Sequence, residues 1–148
     1  MSIRVSVHLL LESDGKLLFI KRGATKFYSG WFSVVAGHLE KGETANEAMR
    51  REALEEIGVS LAEPLKFAGV TQRLYDEFIY FDLFFEASIA DVSAITVTEV
   101  DKITELVWLP VGELPNETVP YVADVVMEWM REPHTPFNKT YKFLTETA

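Results

Sequence analysis

The sequence predicts an α/β domain whose mixed sheet is covered by helices on two faces. Three observations predict it: an Asp-Gly hairpin signal near the N-terminus, a long helix-forming stretch stopped by Gly58, and a second amphipathic stretch separated from the first by strand-like segments. The 148 residues suit one domain of common size, so residues 1–148 read as a single domain with a tail from about 133 to 148.

Residues 3–11 and 16–22 read as strands joined by Glu12-Ser13-Asp14-Gly15, whose Asp-Gly pair tolerates the positive φ of a tight hairpin turn. Residues 23–30 read as a loop carrying Lys26, Phe27 and Tyr28, 31–36 as a short apolar strand, and 37–42 as another loop. From 43 to 57 the chain holds strong helix formers with no Pro or Gly, and Gly58 is a natural C-terminal stop. Residues 65–74 and 78–89 read as strands about a turn at Tyr75-Asp76-Glu77, with Ile79, Phe81, Leu83, Phe85 and Ala87 alternating toward the core. A strand is expected at 103–109, ending at Pro110, then a helix at 119–130 with an apolar stripe of Val122, Val125, Val126, Trp129 and Met130. The tail beyond Pro133 shows no period, and no repeat or linker is visible.

The net charge of −9 and the absence of a basic run disfavour polymeric nucleic acid as a partner. The longest apolar tract is interrupted by Asp82 and Glu86, and the N-terminus lacks the features of a secretory signal, so a cytoplasmic protein with no membrane partner is expected. With no cysteine, thiolate catalysis and thiolate-held metals are excluded. An acidic chain that handles phosphorylated small molecules needs cations to neutralise them locally.

Glu52, Glu55 and Glu56 lie three and four residues apart in the first helix, so their carboxylates project from one patch. Such a pattern is commonly a solvated helix face, but crowded carboxylates also suit hard cations such as Mg²⁺ or Mn²⁺. The wider spacing separates the two readings: Gly37, five residues, Glu43, seven residues, then Arg51-Glu52-Ala53-Leu54-Glu55-Glu56-Ile57-Gly58-Val59. At every fixed position this resembles the signature of the Nudix hydrolases. The resemblance covers roughly residues 3–131 and implies a three-layer α/β/α sandwich with a mixed sheet. One departure is Val35, where many members have Pro ahead of the two small residues that precede the box.

The resemblance implies a metal-dependent hydrolase that cleaves the diphosphate linkage of a nucleoside triphosphate or another nucleoside diphosphate derivative by water attack. It implies that Glu52 and Glu56 are the principal metal ligands, with the Gly37 carbonyl as a further ligand. Glu55 is implied as an additional ligand or the base, and Glu43 with Arg51 as the pair that orients the glutamates. The cofactor implied is Mg²⁺ or Mn²⁺, and the chain is expected as a monomer or homodimer.

For the organic end of the substrate, Phe27, Tyr28, Trp31, Phe78 and Tyr80 are candidates to stack on a base, though core or rim packing is the commoner use of such residues and only the loop residues Phe27 and Tyr28 stand out from it. Arg22, Lys26 and Arg73 are candidates for phosphate contacts. Glu99 and Asp101 occupy a loop where some relatives place residues that read the base or support catalysis, and otherwise read as solvated acids. His8 reads as structural, His38 lies beside the box with no partner visible in the sequence, His134 reads as surface, and Trp108 and Trp129 as core. The competing functional readings are a catalytically silent nucleotide sensor of the same fold and an interaction scaffold using Phe137, Tyr141 and Phe143 of the tail.

Overall fold

A computed structural model describes residues 2–62, 65–89, 91–133 and 135–145, so the surface reading of His134 lies outside the described residues. In chain order the elements are β1 (Ser2–Ser13), β2 (Lys16–Arg22), β3 (Phe32–Ser33), β4 (Ala36–His38), α1 (Ala45–Ile57), β5 (Lys66–Leu74), β6 (Phe78–Ser88), β7 (Ile103–Pro110), α2 (Pro120–Arg131) and β8 (Phe137–Lys142). The strands form one mixed sheet in the order β3-β2-β1-β6-β5-β8, with β4 added on β1 and β7 on β2. β1 runs parallel to β6 and β5 parallel to β8; the other pairs are antiparallel.

The hairpin turn forms where Asp14 and Gly15 both take positive φ, at 52° and 76°. Its strands part after two rungs, and further along the freed edge of β1 takes β4 and that of β2 takes β3. The apolar run expected as one strand at 31–36 is broken across this opening. Phe32 and Ser33 pair with β2, the Val35 carbonyl accepts from the Leu9 N–H at 2.9 Å, and β4 pairs with β1. Val34 and Val35 alternate to the two faces of the sheet, Val34 under α2 and Val35 under α1, so both are buried while the chain crosses from β2 to β1.

Alternation along the strands builds the two faces. Val7, Leu9 and Leu11 of β1, Leu18 and Ile20 of β2 and Phe85 of β6 pack under Ala48, Met49, Ala53 and Ile57 of α1. Leu10, Leu17, Phe19 and Phe84 pack under Val122, Val125, Val126 and Trp129 of α2. Each fully buried aliphatic side chain contributes roughly 1.5–3 kcal/mol, so both helices are held by their apolar stripes. The result is the three-layer α/β/α sandwich. Met130 lies off the stripe, at 50% exposure. Ile79 and Phe81 are only half buried, whereas Asp82 and Phe84, of the opposite parity, are fully enclosed, because β6 is central and covered on both faces.

Residues 137–142 of the tail form a strand docked on the sheet. β8 lies against β5 from Gly69↔Phe137 to Leu74↔Lys142, with Phe137 buried over Gly69. A Cβ on Gly69 would sit 2.5 Å from the Phe137 ring, which is why glycine stands there. Tyr141 donates to Asp124, and Phe143 stacks on Tyr75. The three aromatics considered for a scaffold are therefore docked on the domain itself. Hydrophobic period missed this strand because its inward positions include Lys139 and only Phe137 is fully buried.

Beyond the first turn of α2, the sheet face carries a polar network. Burial lowers the His8 pKa to about 4 against the pull of nearby Asp82, so the ring is neutral at pH 7. Its Nε2 meets the Tyr121 hydroxyl at 2.7 Å, and Nδ1 lies 3.3 Å from the Ser6 hydroxyl, which donates to Asp82 at 2.6 Å. Burial alone would raise the Asp82 carboxyl, but the bonds from Arg73 and Ser6 outweigh it and hold the group below its usual range. Both folded-state pKa values lie below their unfolded values, so the contribution of these two groups to stability is full above pH 6.5 and is lost on acidification. Between pH 6.5 and 4 the unfolded chain protonates His8 while the folded chain does not, a difference of about 3 kcal/mol at about 1.4 kcal/mol per unit. Urea titrations at pH 7 and pH 4.5 test this: His8→Gln loses about 2–3 kcal/mol less than the unaltered protein over that range, and equal losses would refute the assignment.

Candidate metal centre

α1 begins with a capping box in which the Thr44 hydroxyl accepts from the Glu47 N–H and the Glu47 carboxylate accepts from the Thr44 N–H, each at 3.1 Å. The helix therefore starts at Ala45, two residues later than the sequence suggests, and Glu43 is left outside it. Glu43 turns back toward Arg51, eight residues further on. Arg51 Nε donates to Glu43 Oε2 at 2.7 Å and Nη2 donates to Glu43 Oε1 at 3.1 Å, a two-pronged pair. The same guanidinium reaches Glu52 at 2.8 Å, Glu55 at 3.2 Å and the His38 carbonyl at 2.9 Å. These bonds hold the Glu43 carboxyl below the usual carboxylate range and raise the Arg51 pKa further, chiefly through Glu43.

The helical spacing places Glu52 and Glu56 one turn apart on the buried side of α1, whereas the Glu55 side chain is 51% exposed and bonded to Arg51. The third carboxylate beside Glu52 and Glu56 comes from elsewhere. Glu52, Glu56 and Glu99 each place an oxygen within 4.8 Å of the other two. Glu99 arrives there because its loop caps the end of α1. The Thr98 N–H donates to the Glu56 carbonyl and the Thr96 N–H to the Ile57 carbonyl, both at 3.1 Å, and the Thr98 hydroxyl donates to the Glu55 carbonyl. A helix end leaves such carbonyls without intrahelical partners, so the loop takes up bonds that the helix cannot make.

This donor set fits a divalent cation on several grounds. All three groups are oxygen donors of the kind hard cations select. Among the described residues Glu56 Oε2 is buried with no hydrogen-bond partner, an arrangement that costs energy unless something positive meets it. Burial, with the Glu52 and Glu99 charges beside it, pushes the Glu56 carboxyl up to about 8; burial also raises Glu52. Gly37 leaves the space: a Cβ there would lie 2.0 Å from the Glu52 carboxyl carbon.

The structure sorts the remaining sequence candidates into two places. Arg22 donates to the Phe27 carbonyl at 3.2 Å and so closes the 23–30 loop, on which Phe27 and Tyr28 are exposed. Tyr28 holds a positive φ of 52° with its ring 5.3 Å from Trp31. This loop is pinned to the Glu99–Lys102 turn by the Gly23 N–H donating to the Lys102 carbonyl at 2.7 Å, which brings exposed Asp101 near it. Tyr80 and Arg73 lie apart from that pair of loops, on the α2-facing side of the sheet. His38, without a visible partner in the sequence, meets the Tyr80 hydroxyl at 3.0 Å. Arg73 donates twice to Asp82, at 2.8 Å each. Glu99 is the residue that sequence reasoning undervalued, and its distance of more than forty positions from the helix left no spacing to read.

The sequence matches the NUDIX domain family over residues 2–130. The chain belongs to the NUDIX family. Among named NUDIX-type relatives it is similar to the NAD-capped RNA hydrolase NudC of Pseudomonas syringae pv. tomato, 27% identical over 72% of this chain and 36% of that protein. It is also similar to the ADP-ribose pyrophosphatase of Methanocaldococcus jannaschii, 44% identical over 37% of this chain and 32% of that protein. The chain thus aligns with about a third of the length of each. In fold it superposes on the MutT NUDIX hydrolase of Burkholderia pseudomallei with a TM-score of 0.77 at 22% identity, covering 86% of this chain and 98% of that one. β8 lies outside the residues matched to the NUDIX family. Among the described residues no helix is long and apolar enough to cross a membrane.

Proposed function

We propose that this NUDIX protein is a metal-dependent hydrolase that cleaves the diphosphate linkage of a nucleoside triphosphate or another nucleoside diphosphate derivative by water attack. The observation that carries the reading is the meeting of Glu52, Glu56 and Glu99 around an unpaired buried oxygen of Glu56. Those three carboxylates and the Gly37 carbonyl are the groups that would hold Mg²⁺ or Mn²⁺. When bound, such a cation neutralises phosphate charge and lowers the pKa of a coordinated water.

The chain's own groups supply the rest. Glu43 fixes the Arg51 guanidinium, and Arg51 fixes Glu52, so the carboxylate cannot swing away from the buried group. Glu55, half exposed and held by a single arginine N–H, takes the proton of the attacking water. The water oxygen bonds to phosphorus, and the bridging P–O bond breaks to give two phosphate-ended products. The organic end is assigned to the exposed aromatics Phe27 and Tyr28, with Arg22 and Asp101 at the margins, and Tyr80 is not assigned to it because its ring is taken up by His38 and Arg73. Arg73 is not assigned to substrate phosphate, because Asp82 already takes two of its donors.

The names of the two relatives, an ADP-ribose pyrophosphatase and a hydrolase of NAD-capped RNA, support a diphosphate as the scissile group. The test is a panel of nucleoside triphosphates, dinucleotides and nucleoside diphosphate sugars, incubated with Mg²⁺ or Mn²⁺ and followed by mass identification of both products. No metal-dependent release from any member would sink the reading; tight binding without release would favour a nucleotide sensor instead. In the same assay Arg51→Lys lowers kcat/KM about 10- to 100-fold, because an ammonium cannot span Glu43, Glu52, Glu55 and the His38 carbonyl at once.

A further inference from the structure

We infer that Arg73 is a positioning residue for the metal centre: anchored by buried Asp82, it fixes Tyr80, which braces His38 and with it the short strand that carries Gly37. The inference rests on the reading of Glu52, Glu56 and Glu99 as cation ligands.

The strand in question is weakly held on its own. β4 makes three rungs with β1, Ser6↔His38, Val7↔Gly37 and His8↔Ala36, and its side chains are half buried or exposed. Yet its position matters to both buried carboxylates. Gly37 packs against the Glu52 carboxylate, and the Ala36 backbone N–H faces the Glu56 carboxyl closely enough to favour its charged form. Any drift of residues 36–38 moves the surroundings of both.

The brace comes from across the sheet. In register, Arg4, Tyr80 and Arg73 lie side by side in one row, and Ser6, Asp82 and Thr71 in the next. Asp82 is 0% exposed and accepts from Ser6 at 2.6 Å, Thr71 at 2.7 Å and Arg73 twice at 2.8 Å, so its carboxylate is fixed on every side. That anchor sets the plane of the guanidinium. The Arg73 Cζ then lies 4.3 Å from the centroid of the Tyr80 ring on one side and 4.3 Å from that of Tyr121 on the other. Tyr80 in turn stacks on His38, with centroids 5.7 Å apart and ring planes at 21°, and the Tyr80 hydroxyl meets His38 Nε2 at 3.0 Å. From His38 the contact passes through its carbonyl to Arg51, and from Arg51 to Glu52. A continuous set of packed and hydrogen-bonded groups therefore runs from Asp82 in the core to a carboxylate of the metal centre.

The test uses the full chain and Mn²⁺ alone, with affinity read by calorimetry and the His38 ring followed by NMR in the metal-free protein. Arg73→Lys keeps the charge but loses the planar stack and the two-pronged pair; Tyr80→Phe keeps the ring and loses only the hydroxyl. Each is expected to weaken Mn²⁺ binding about 3- to 10-fold, less than loss of a group that touches a ligand directly, and to shift the His38 ring signals. Their combined effect is smaller than the product of the two, because both act through one path. Tyr121→Phe, on the other side of Arg73, leaves the affinity unchanged. Folded Arg73→Lys and Tyr80→Phe proteins that bind Mn²⁺ within twofold of the unaltered chain would overturn the inference, whatever happens to His38; if Arg73→Lys does not fold, Tyr80→Phe decides. An unaltered chain that binds no Mn²⁺ overturns the metal reading and this inference together.

Discussion

Glu56→Gln is expected to lower kcat/KM by on the order of a hundred- to a thousand-fold while leaving the metal-free fold at least as stable as before. The two effects have one cause. Loss of a partner that merely aims a ligand costs about 10- to 100-fold, and loss of a ligand's charge costs more. Glutamine has the same shape and keeps an oxygen for the Ala36 N–H. Where the carboxyl presents an unpaired oxygen, the amide can place an N–H beside Glu52 or Glu99, so the metal-free fold keeps an uncharged group there and gains a donor. Thermal denaturation with and without Mn²⁺ separates the cases. The unaltered chain gains melting temperature with the ion, as any native-state ligand requires, and Glu56→Gln gains little or none. A variant that keeps turnover within tenfold, or the same Mn²⁺ stabilisation, would remove Glu56 from the centre.

Gly37→Ala carries the second large effect, and space alone explains it. Gly37 has no positive φ, so alanine is compatible with the backbone. The added Cβ would nevertheless stand 2.0 Å from the Glu52 carboxyl carbon and 2.1 Å from Oε1, distances no real contact tolerates. Glu52 cannot yield freely, since Arg51 holds it at 2.8 Å and Arg51 is itself held by Glu43. Either β4 moves off α1 or the carboxylate leaves the buried group. The expected outcome is a loss of about 1–3 kcal/mol in stability, as for other overpacked sites, with Mn²⁺ affinity and turnover falling at least tenfold. Gly112→Ala is the control: among the described residues nothing lies within 4 Å of its Cβ position, so stability, Mn²⁺ affinity and turnover all stay unchanged. Equal behaviour of the two variants would mean that the close approach at Gly37 has no bearing on the centre.

The reach of sequence reasoning differs from element to element for identifiable reasons. The hairpin, both helices and the long strands were legible because local chemistry settles them: Asp14-Gly15 for the turn, Gly58 for the helix stop, and the Val122, Val125, Val126 and Trp129 stripe for the second helix. The start of α1 was missed by two residues, since Thr44 takes the cap and frees Glu43 for Arg51. The broken strand at 32–38 and the docked β8 were not legible. Each is decided by partners far away in sequence, the parted strands of the hairpin in one case and the open edge of β5 in the other.

The same division runs through the site. By itself the sequence determined that Glu52 and Glu56 share a helix face, because 3.6 residues per turn leaves little choice at that spacing, while the pairing of Glu43 with Arg51 came from the family resemblance. It determined the family signature from Gly37 to Val59 as well. Only the tertiary structure decided that Glu55 turns to Arg51 and solvent while Glu99 joins the buried pair, and that Arg73 is spent on Asp82. The reason is that a loop's docking and a sheet's register depend on which distant backbone groups remain unpaired, as the helix-end carbonyls of Glu55, Glu56 and Ile57 are until Thr96 and Thr98 meet them.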